Sequence, residues 1–234
     1  MYHLQNDRRA LARRVRRGSS KRQPPGCLFS NVTRSGARKR IAYRRLGGLQ
    51  PAVCAAGAKT ILETERLILR EFLDSDYKDL CEILQDKDVM YAYEHPFTDD
   101  EVKSWYEKLI IGHYKKHGFG LWAVIHKETY EFLGQCGLTI QNLNGNEYLE
   151  IGYLFKKRHW HKGYAVEAAL ACKKYAFETL NAEKVYSIIR ESNIASQNVA
   201  KRIGMKKTDE IIKHYNDIDI PHFIYEAKNC IATA

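Results

Sequence analysis

The stretch Glu150–Ala171, EIGYLFKKRHWHKGYAVEAALA, decides the fold class of this chain and the kind of site it can form. It begins with an alternation of apolar and polar residues that predicts a strand, and it ends with small residues at helical spacing. A short turn with a single glycine, Gly163, joins the two. The first turn of a helix leaves backbone N–H groups unpaired at the positive end of the helix dipole. The stretch therefore predicts a strand–turn–helix that can bind an anion such as pyrophosphate, with Gly163 allowing close approach of the ligand.

The turn is also rich in basic residues, which we expect to add positive field. They are Lys156, Lys157, Arg158, His159 and Lys162. The sequence has neither GxxxxGK[ST] nor GxGxxG, which disfavours a nucleoside-triphosphate P-loop and a Rossmann dinucleotide site. From the residues alone two interpretations stay open: a pyrophosphate site, and a basic surface turn before an ordinary helix.

Outward from this stretch, hydrophobic periodicity predicts the element order β-α-α-β-β-β-α-β-α-β-β. The predicted strands are Leu62–Phe72, Gly120–His126, Phe132–Leu143, Tyr148–Phe155, Val185–Arg190, Lys206–Ile212 and His222–Lys228. Asp74, Thr98 and Ser196 are the predicted caps of three helices, and the fourth helix starts at Tyr164. This order predicts a mainly antiparallel sheet with one βαβ unit near its C-terminal end. The fold class is therefore α+β (mixed α/β), in one domain over residues 60–234.

The net charge of +10 is distributed unevenly. Residues 1–59 contain 15 basic residues, twelve of them arginine, and one acidic residue, whereas residues 60–234 have a net charge of −4. Three interpretations of this Arg-rich extension stay open: disordered sequence with no packed role (including upstream sequence read as protein), an organelle transit peptide, and a tether to nucleic acid or another acidic surface. The charge does not make the domain a nucleic-acid-binding fold.

The cysteines and the hydropathy pattern bear on compartment and cofactor. None of the six cysteines has CxxC spacing, which disfavours a zinc site or a redox dithiol, and reduced thiols indicate a cytoplasmic protein. No apolar run approaches 18 residues, so no membrane-spanning helix is expected. His113 and His117 lie at i, i+4 without the glutamate of an HExxH motif, and we predict no metal site.

Three ordered motifs resemble the GNAT superfamily of acyltransferases. Trp160–Ala165, WHKGYA, resembles the [QRW]-x-x-G-x-[GA] signature, and the longer run EIGY…WHKGYAVEA is similar to the branch that includes the ribosomal-protein alanine N-acetyltransferases. Asn193–Met205 resembles the second signature, NxxSxxxxxKxGF/M, and TERLILREF from Thr64 resembles the usual start of the branch, TERLxLRxxxxxD. The resemblance covers residues 60–228 and none of the extension.

Two positions depart from the pattern of the branch. His161 stands where glycine is common, and Lys157 stands where proline is common. A Cβ at position 161 alters the approach to the pyrophosphate, and an imidazole there adds a pH-dependent contact. We expect the turn to keep its ability to bind the cofactor, because position 161 varies within the signature.

The resemblance implies a GNAT-like sheet whose middle strands, Tyr148–Phe155 and Val185–Arg190, splay apart. It implies acetyl-CoA as cosubstrate, with the pyrophosphate on the turn and the pantetheine arm in the gap between these strands. The residues it assigns to the cofactor are Leu154, Phe155, His161, Lys162, Gly163, Tyr164, Ala165 and Asn193. It implies no metal.

For catalysis the resemblance implies direct attack of an amine on the thioester, with no covalent enzyme intermediate. Glu150 is the leading candidate for the general base, and strand alternation places it on the face of Leu154. Glu167 is the second choice, and Ser196 and Tyr153 are candidates to protonate the departing thiolate. The alternatives are a solvent-facing carboxylate for Glu150, a favourable charge near a helix N-terminus for Glu167, and a helix cap for Ser196.

The predicted function is transfer of an acetyl group from acetyl-CoA to a primary amine, either a protein N-terminus or a small molecule. The alternative is a non-catalytic acyl-CoA-binding module tethered to nucleic acid by the basic extension. Resemblance also suggests that an aromatic loop, Tyr91, Tyr93, His95 and Phe97, walls the acceptor pocket. We expect no membrane partner, no nucleic-acid partner for the domain, and a monomer or a homodimer.

Overall fold

The structure of the protein, a computed structural model, describes residues 58–143, 145–215 and 218–229. The predictions for residues 1–57 of the extension lie outside these residues. Within the described ranges, eight strands form one sheet in the order β1-β2-β3-β4-β5-β6-β8-β7. They are β1 Thr60–Glu63, β2 Leu67–Arg70, β3 Leu121–His126, β4 Phe132–Leu143, β5 Asn146–Phe155, β6 Lys184–Arg190, β7 Lys206–Tyr215 and β8 Ile218–Lys228. All neighbours pair antiparallel except β5 and β6, which run parallel.

Helices cover both faces of the sheet. They are α1 Tyr77–Leu84, α2 Asp99–Trp105, α3 Gly112–His117, α4 Tyr164–Glu178 and α5 Ile194–Arg202, with a π-helical segment Tyr106–Ile111 between α2 and α3. The crossover β5–α4–β6 is the predicted βαβ unit, and the mixed α/β fold class is confirmed. Among the described residues, no helix is long and apolar enough to cross a membrane.

The first predicted strand, Leu62–Phe72, is wrong: it is the hairpin β1–β2, which adds an eighth strand. The chain turns at Thr64, whose N–H donates to the carbonyl of Leu67 at 3.0 Å and whose hydroxyl accepts the Leu67 N–H at 3.0 Å. A threonine hydroxyl can stabilise a tight turn in this way without glycine or proline. Alternation alone therefore did not reveal the turn.

The predicted cap at Asp74 is also wrong, whereas the capping box at Thr98 is confirmed. Asp74 opens a short 3₁₀ turn before α1, and it is the carboxylate of Asp76 that accepts a backbone N–H, from Leu73 at 2.8 Å. At α2 the Thr98 hydroxyl accepts from the N–H of Glu101, and the Glu101 carboxylate accepts from the N–H of Thr98 at 2.9 Å.

The cap of α5 is Asn193 rather than Ser196. The side-chain oxygen of Asn193 accepts the N–H of Ser196 at 3.0 Å, so Ser196 is the third residue of the helix. An asparagine side chain accepts a first-turn N–H in the same way as a serine at the cap position, and both residues fit the sequence pattern.

Two hydrophobic clusters lie on the two faces of the sheet, and β5 contributes to both. Ile151 and Phe155 pack in the cluster beneath α4, whereas Leu154 packs against the cluster that contains residues of α1 and α2. Trp122 is buried in the cluster beneath α4. The alternation of β5 therefore directs the side chains of Glu150 and Leu154 to the α1–α2 face, with Gly152 between them.

Candidate active site

Strands β5 and β6 part almost as soon as they meet. Their parallel ladder has a single register pair, Glu150 with Tyr186. The hydroxyl of Ser187 donates to the carbonyl of Ile151 at 3.0 Å, and beyond it β5 continues to Phe155. Because main-chain groups alternate in direction along a strand, the carbonyl of Ile151 indicates that the backbone of Tyr153 also faces the gap. The predicted splay is therefore present.

The turn after β5 brings the start of α4 to the surface. Gly163 is the cap residue of α4, with a φ of +82°, and it is exposed. Such a conformation favours glycine because a Cβ is strained there. The N–H groups that follow belong to the first turn of a fifteen-residue helix and have no acceptor within the helix. The turn therefore has the features of an anion site that its sequence predicted.

His161 has a φ of +61°, in the left-handed region that side chains other than glycine adopt at a cost. This conformation gives a physical reason why glycine is common at this position in the branch that the sequence resembles. The imidazole of His161 is exposed, beside Lys162 and Gly163. Histidine at position 161 therefore adds backbone strain to the turn, and the turn remains exposed to solvent.

The prediction that five basic residues add positive field to the turn is wrong for four of them, because carboxylates pair with them. Lys156 contacts Asp79 and Glu82, Lys157 contacts Asp88, and both Arg158 and His159 contact Glu131. Lys156 is buried, and burial also lowers the pKa of His159. Among the described residues Lys162 alone of the five has no acidic side chain within ion-pair distance. The positive field at the turn therefore comes from the helix N-terminus and Lys162.

Glu167, the second candidate for the base, lies in the first turn of α4, and both of its carboxylate oxygens accept hydrogen bonds. It accepts hydrogen bonds from the hydroxyl of Thr64 at 2.6 Å and from Nε of Arg66 at 2.7 Å. Burial alone would raise the pKa of Glu167, but the hydrogen bonds from Thr64 and Arg66 outweigh it and hold the pKa below its usual value. A carboxylate held in this way is a weak proton acceptor.

Glu150 lies at the point where the two strands part. Its Oε1 accepts the backbone N–H of Ile188 at 3.1 Å. The side chain lines a small cavity of about 90 Å³ on the α1–α2 face, together with Gly152 and Leu154, as its alternation phase predicted. Burial raises the pKa of Glu150, against smaller opposing effects of Lys213, the Ile188 N–H and Gln141.

Aromatic side chains close the same cavity from the helical side. Tyr93 and Trp105 line it, and Phe97 packs edge-on against both, with ring centroids 5.8 and 5.7 Å away. Of the four residues of the predicted aromatic loop, Tyr93 lines the cavity, whereas His95 contacts Glu101. The loop is held from β6, because Arg190 donates to the carbonyls of Ala92 and Tyr93, each at 3.4 Å.

The two candidates to protonate the departing thiolate, Ser196 and Tyr153, lie together at the N-terminus of α5. The hydroxyl of Tyr153 donates to the backbone carbonyl of Ser196 at 3.0 Å, and burial raises the pKa of Tyr153. The side-chain oxygen of Asn193 accepts from the Ser196 N–H and from the hydroxyl of Tyr91 at 2.7 Å. The structure therefore brings Tyr153, Asn193 and Ser196 together at the start of α5, and Tyr153 also lines the small cavity beside Glu150.

Comparison with known proteins identifies the family. The model of the acetyltransferase (GNAT) domain matches residues 66–206. The chain belongs to the GNAT acetyltransferase family. This acetyltransferase is 38% identical to the Bacillus subtilis protein YkkB over 173 residues, 74% of this chain and 98% of that protein. It is 31% identical to the N-acetyltransferase YnaD of the same organism, over 62% of this chain and 82% of that protein.

The fold is shared with solved structures of the same family. A ribosomal-protein-S5-alanine acetyltransferase from Vibrio fischeri superposes with a TM-score of 0.58 at 18% identity, over 72% of this chain and 96% of that one. The recognition of a GNAT N-acetyltransferase from three motifs is confirmed, and the protein is an acetyl-CoA-dependent N-acetyltransferase. In the described part of this acetyltransferase, an exposed turn opens α4, β5 and β6 leave a gap, and the carboxylate of Glu150 lies beside an aromatic-lined cavity.

Sequence patterns did not predict several contacts around the candidate site. Thr64 and Arg66 lie in the TERL motif, which was interpreted as the start of a strand, and they contact Glu167 more than 100 residues away. The role of Tyr91 in the acceptor pocket stays a prediction, and its hydroxyl donates to Asn193, which links the loop to α5. The motif itself was the available signal for Arg66, because a strand start does not require a particular arginine.

Proposed function

We propose that the enzyme transfers the acetyl group of acetyl-CoA to a primary amine by direct attack of the amine on the thioester. One observation carries this proposal: Glu150 stands where β5 and β6 part, with the gap on one side and an aromatic-lined cavity on the other. A carboxylate in that position can accept a proton from an amine that reaches the gap through the cavity. Direct attack needs two reactants held in line, and this arrangement supports it.

The proposed cofactor site combines the turn and the gap. The pyrophosphate would accept hydrogen bonds from the amides of residues 161–165, and Lys162 would add a positive charge. The pantetheine arm would lie along residues 153–155 of β5, with Asn193 near its far end. A main-chain N–H of β5 that faces the gap would polarise the acetyl carbonyl and stabilise the oxyanion of the tetrahedral intermediate.

Proton transfer is assigned to one group for the amine and to another for the departing thiolate. An amine is mostly protonated near neutral pH and must lose a proton before it attacks. The raised pKa of Glu150 brings its basicity closer to neutral pH, which supports its role as general base, directly or through a water. Ser196 is the proposed donor to the departing thiolate, with Tyr153 beside it as the second candidate.

The acceptor is proposed to be a protein N-terminus or a small amine, in the cytoplasm. Resemblance to the alanine N-acetyltransferase branch supports the protein N-terminus. The cavity supports an amine on a narrow stem, because only about 90 Å³ is enclosed next to Glu150. The enzyme is proposed to act as a monomer or a homodimer.

A mass-spectrometric acceptor screen tests the proposal. The full chain and a chain of residues 60–234 are each incubated with acetyl-CoA and a panel of N-terminal peptides, polyamines and amino sugars, and both acetylated products and free CoA thiol are measured. We expect acetylation of at least one amine class, at equal rates for the two chains. Binding of CoA without acetylation of any amine would favour the non-catalytic acyl-CoA-binding module, and a salt-sensitive DNA shift requiring residues 1–59 would support the tether.

A further inference from the structure

The carboxylate of Glu167 connects the start of α4 to the turn of the β1–β2 hairpin. One of its oxygens accepts from the Thr64 hydroxyl at 2.6 Å and from the Arg66 backbone N–H at 2.9 Å. The other oxygen accepts from Nε of Arg66 at 2.7 Å, and Nη2 forms an ion-pair contact with that same oxygen, also at 2.7 Å. The Nε–Nη2 edge of the guanidinium therefore faces one carboxylate oxygen with both nitrogens, which fixes the direction of the arginine as well as its distance.

The same arginine contacts the cofactor turn on both sides of Gly163. Nη1 of Arg66 donates to the carbonyl of Lys162 at 3.0 Å, and the guanidinium lies over the ring of Tyr164, 4.6 Å from its centroid. Nη2 would be 3.4 Å from a Cβ at Gly163. Arg66 therefore contacts the residues on either side of Gly163, Lys162 and Tyr164, while Glu167 binds its Nε–Nη2 edge.

The hairpin turn that carries Arg66 is itself fixed to the sheet. The backbone N–H of Lys127, just after β3, donates to the carbonyl of Arg66 at 2.9 Å, and the Lys127 ammonium donates to the carbonyl of Thr64 at 2.5 Å. The ring of His126 packs edge-on against Tyr164, with centroids 5.7 Å apart. A continuous set of contacts therefore runs from the sheet through Arg66 to the first residue of α4.

We propose that Arg66 and Glu167 are positioning residues for the coenzyme. They hold Lys162, Gly163 and Tyr164 so that the first amides of α4 already face the pyrophosphate before it binds, which lowers the ordering cost of binding. Because Glu167 balances the charge of Arg66, the pair fixes the conformation of the turn and adds no net charge to the site. This inference rests on the proposed function, since it takes the turn to be the pyrophosphate site.

The test compares Arg66→Met and Glu167→Gln with the wild-type full chain. Calorimetry gives the dissociation constant of CoA, and steady-state kinetics gives KM for acetyl-CoA and kcat. We expect both constants for the cofactor to rise about tenfold, the size of a lost charge-assisted hydrogen bond, and kcat at saturation to stay within about twofold. Hydrogen exchange of a peptide covering residues 160–168 should become faster in both variants. Glu178→Gln, which removes an exposed ion pair with Lys174 at the other end of α4, should change none of these values.

Two further variants separate positioning from charge and from folding. Arg66→Lys keeps the charge but not the Nε–Nη2 edge, so we expect it to bind CoA as weakly as Arg66→Met; wild-type affinity in Arg66→Lys would overturn the positioning role. The double variant of Arg66→Met and Glu167→Gln should have the same dissociation constant for CoA as the single variant with the lower affinity, because the two residues act together. If Arg66→Met does not fold, Thr64→Val removes one bond to Glu167 and should raise the dissociation constant by a smaller factor.

The outcomes distinguish this inference from the proposed function. Failure of the wild-type chain to bind CoA would contradict the proposed function itself. Wild-type affinity for CoA in Arg66→Met and Glu167→Gln would leave the proposed function standing and refute the positioning role. A lower melting temperature with an unchanged KM would show that the contacts stabilise the fold only, which also refutes it.

Discussion

Glu150 and Ile188 are joined across the point where β5 and β6 separate: Oε1 of Glu150 accepts the backbone N–H of Ile188 at 3.1 Å. A side chain therefore replaces a main-chain carbonyl as the partner of that N–H, next to the single ladder pair of Glu150 and Tyr186. The ladder between the two strands can therefore end here, because the Ile188 N–H keeps a hydrogen-bond partner in the Glu150 side chain. The residue that opens the gap is the same residue that we propose as the base.

Glu150→Gln should abolish most of the turnover and keep cofactor binding. Glutamine can still accept the N–H of Ile188 and keeps the size of the side chain, but it cannot accept a proton. We expect kcat to fall by a factor of about 10² or more, with the dissociation constant of CoA unchanged. Release of CoA thiol and calorimetry provide the two measurements. An unchanged kcat would refute the base assignment, and a large loss of CoA affinity would indicate a structural role instead.

The raised pKa of Glu150 predicts a pH-dependent cost in stability. Between its usual range and the raised value, the folded state binds more protons than the unfolded state, so the free energy of unfolding falls as pH rises through that window. Glu150→Gln removes this contribution. We therefore expect the variant to gain stability relative to the wild type as pH increases from about 4 to 8, measured by urea unfolding. A constant difference across this range would contradict the pKa shift.

His161→Gly and Lys162→Gly should change stability in opposite directions. His161 has a φ of +61°, and the left-handed conformation costs roughly 1–2 kcal/mol for a residue with a Cβ. Part of that gain is lost to the greater freedom of glycine in the unfolded chain, so we expect His161→Gly to stabilise by about 0.5 kcal/mol. Lys162 does not have a positive φ, and Lys162→Gly should destabilise by about 0.5–1 kcal/mol. Urea unfolding at one pH measures both, and equal signs would contradict the strain at position 161.

Local sequence patterns predicted the parts of the molecule that depend on local physics. The strand–turn–helix at Gly163 and the capping box at Thr98 follow from residue spacing, and the structure has both. The hairpin turn at Thr64 escaped because a hydroxyl, rather than glycine or proline, stabilises it. The ion pairs of the basic turn were not predicted for another reason. Lys156 pairs with carboxylates of α1, more than 70 residues earlier in the chain. Which charge meets which depends on tertiary packing, and spacing along the chain does not encode it.

Asn193→Ala and Ser196→Ala should separate capping from catalysis. Asn193 supplies the cap bond of α5, so we expect Asn193→Ala to lower the free energy of unfolding by about 1 kcal/mol. Ser196 contributes its backbone to the contacts with Asn193 and Tyr153, and these survive in Ser196→Ala. Ser196→Ala should therefore leave the unfolding free energy within about 0.5 kcal/mol of the wild type, while its kcat falls if the hydroxyl protonates the thiolate. An unchanged kcat in Ser196→Ala would transfer that role to Tyr153.

The buried ion pair of Arg70 and Asp76 predicts the largest loss of stability. Nη1 and Nη2 of Arg70 donate to the two oxygens of Asp76 at 2.6 and 2.9 Å, and both side chains are 7% exposed. Asp76→Ala leaves the guanidinium buried without its partner, and we expect it to cost about 3–5 kcal/mol. The double variant Arg70→Met and Asp76→Leu removes both charges and should be more stable than Asp76→Ala alone. Chemical unfolding of the wild type, Arg70→Met, Asp76→Leu and their double variant measures the coupling, and purely additive losses would show that the two charges do not stabilise each other.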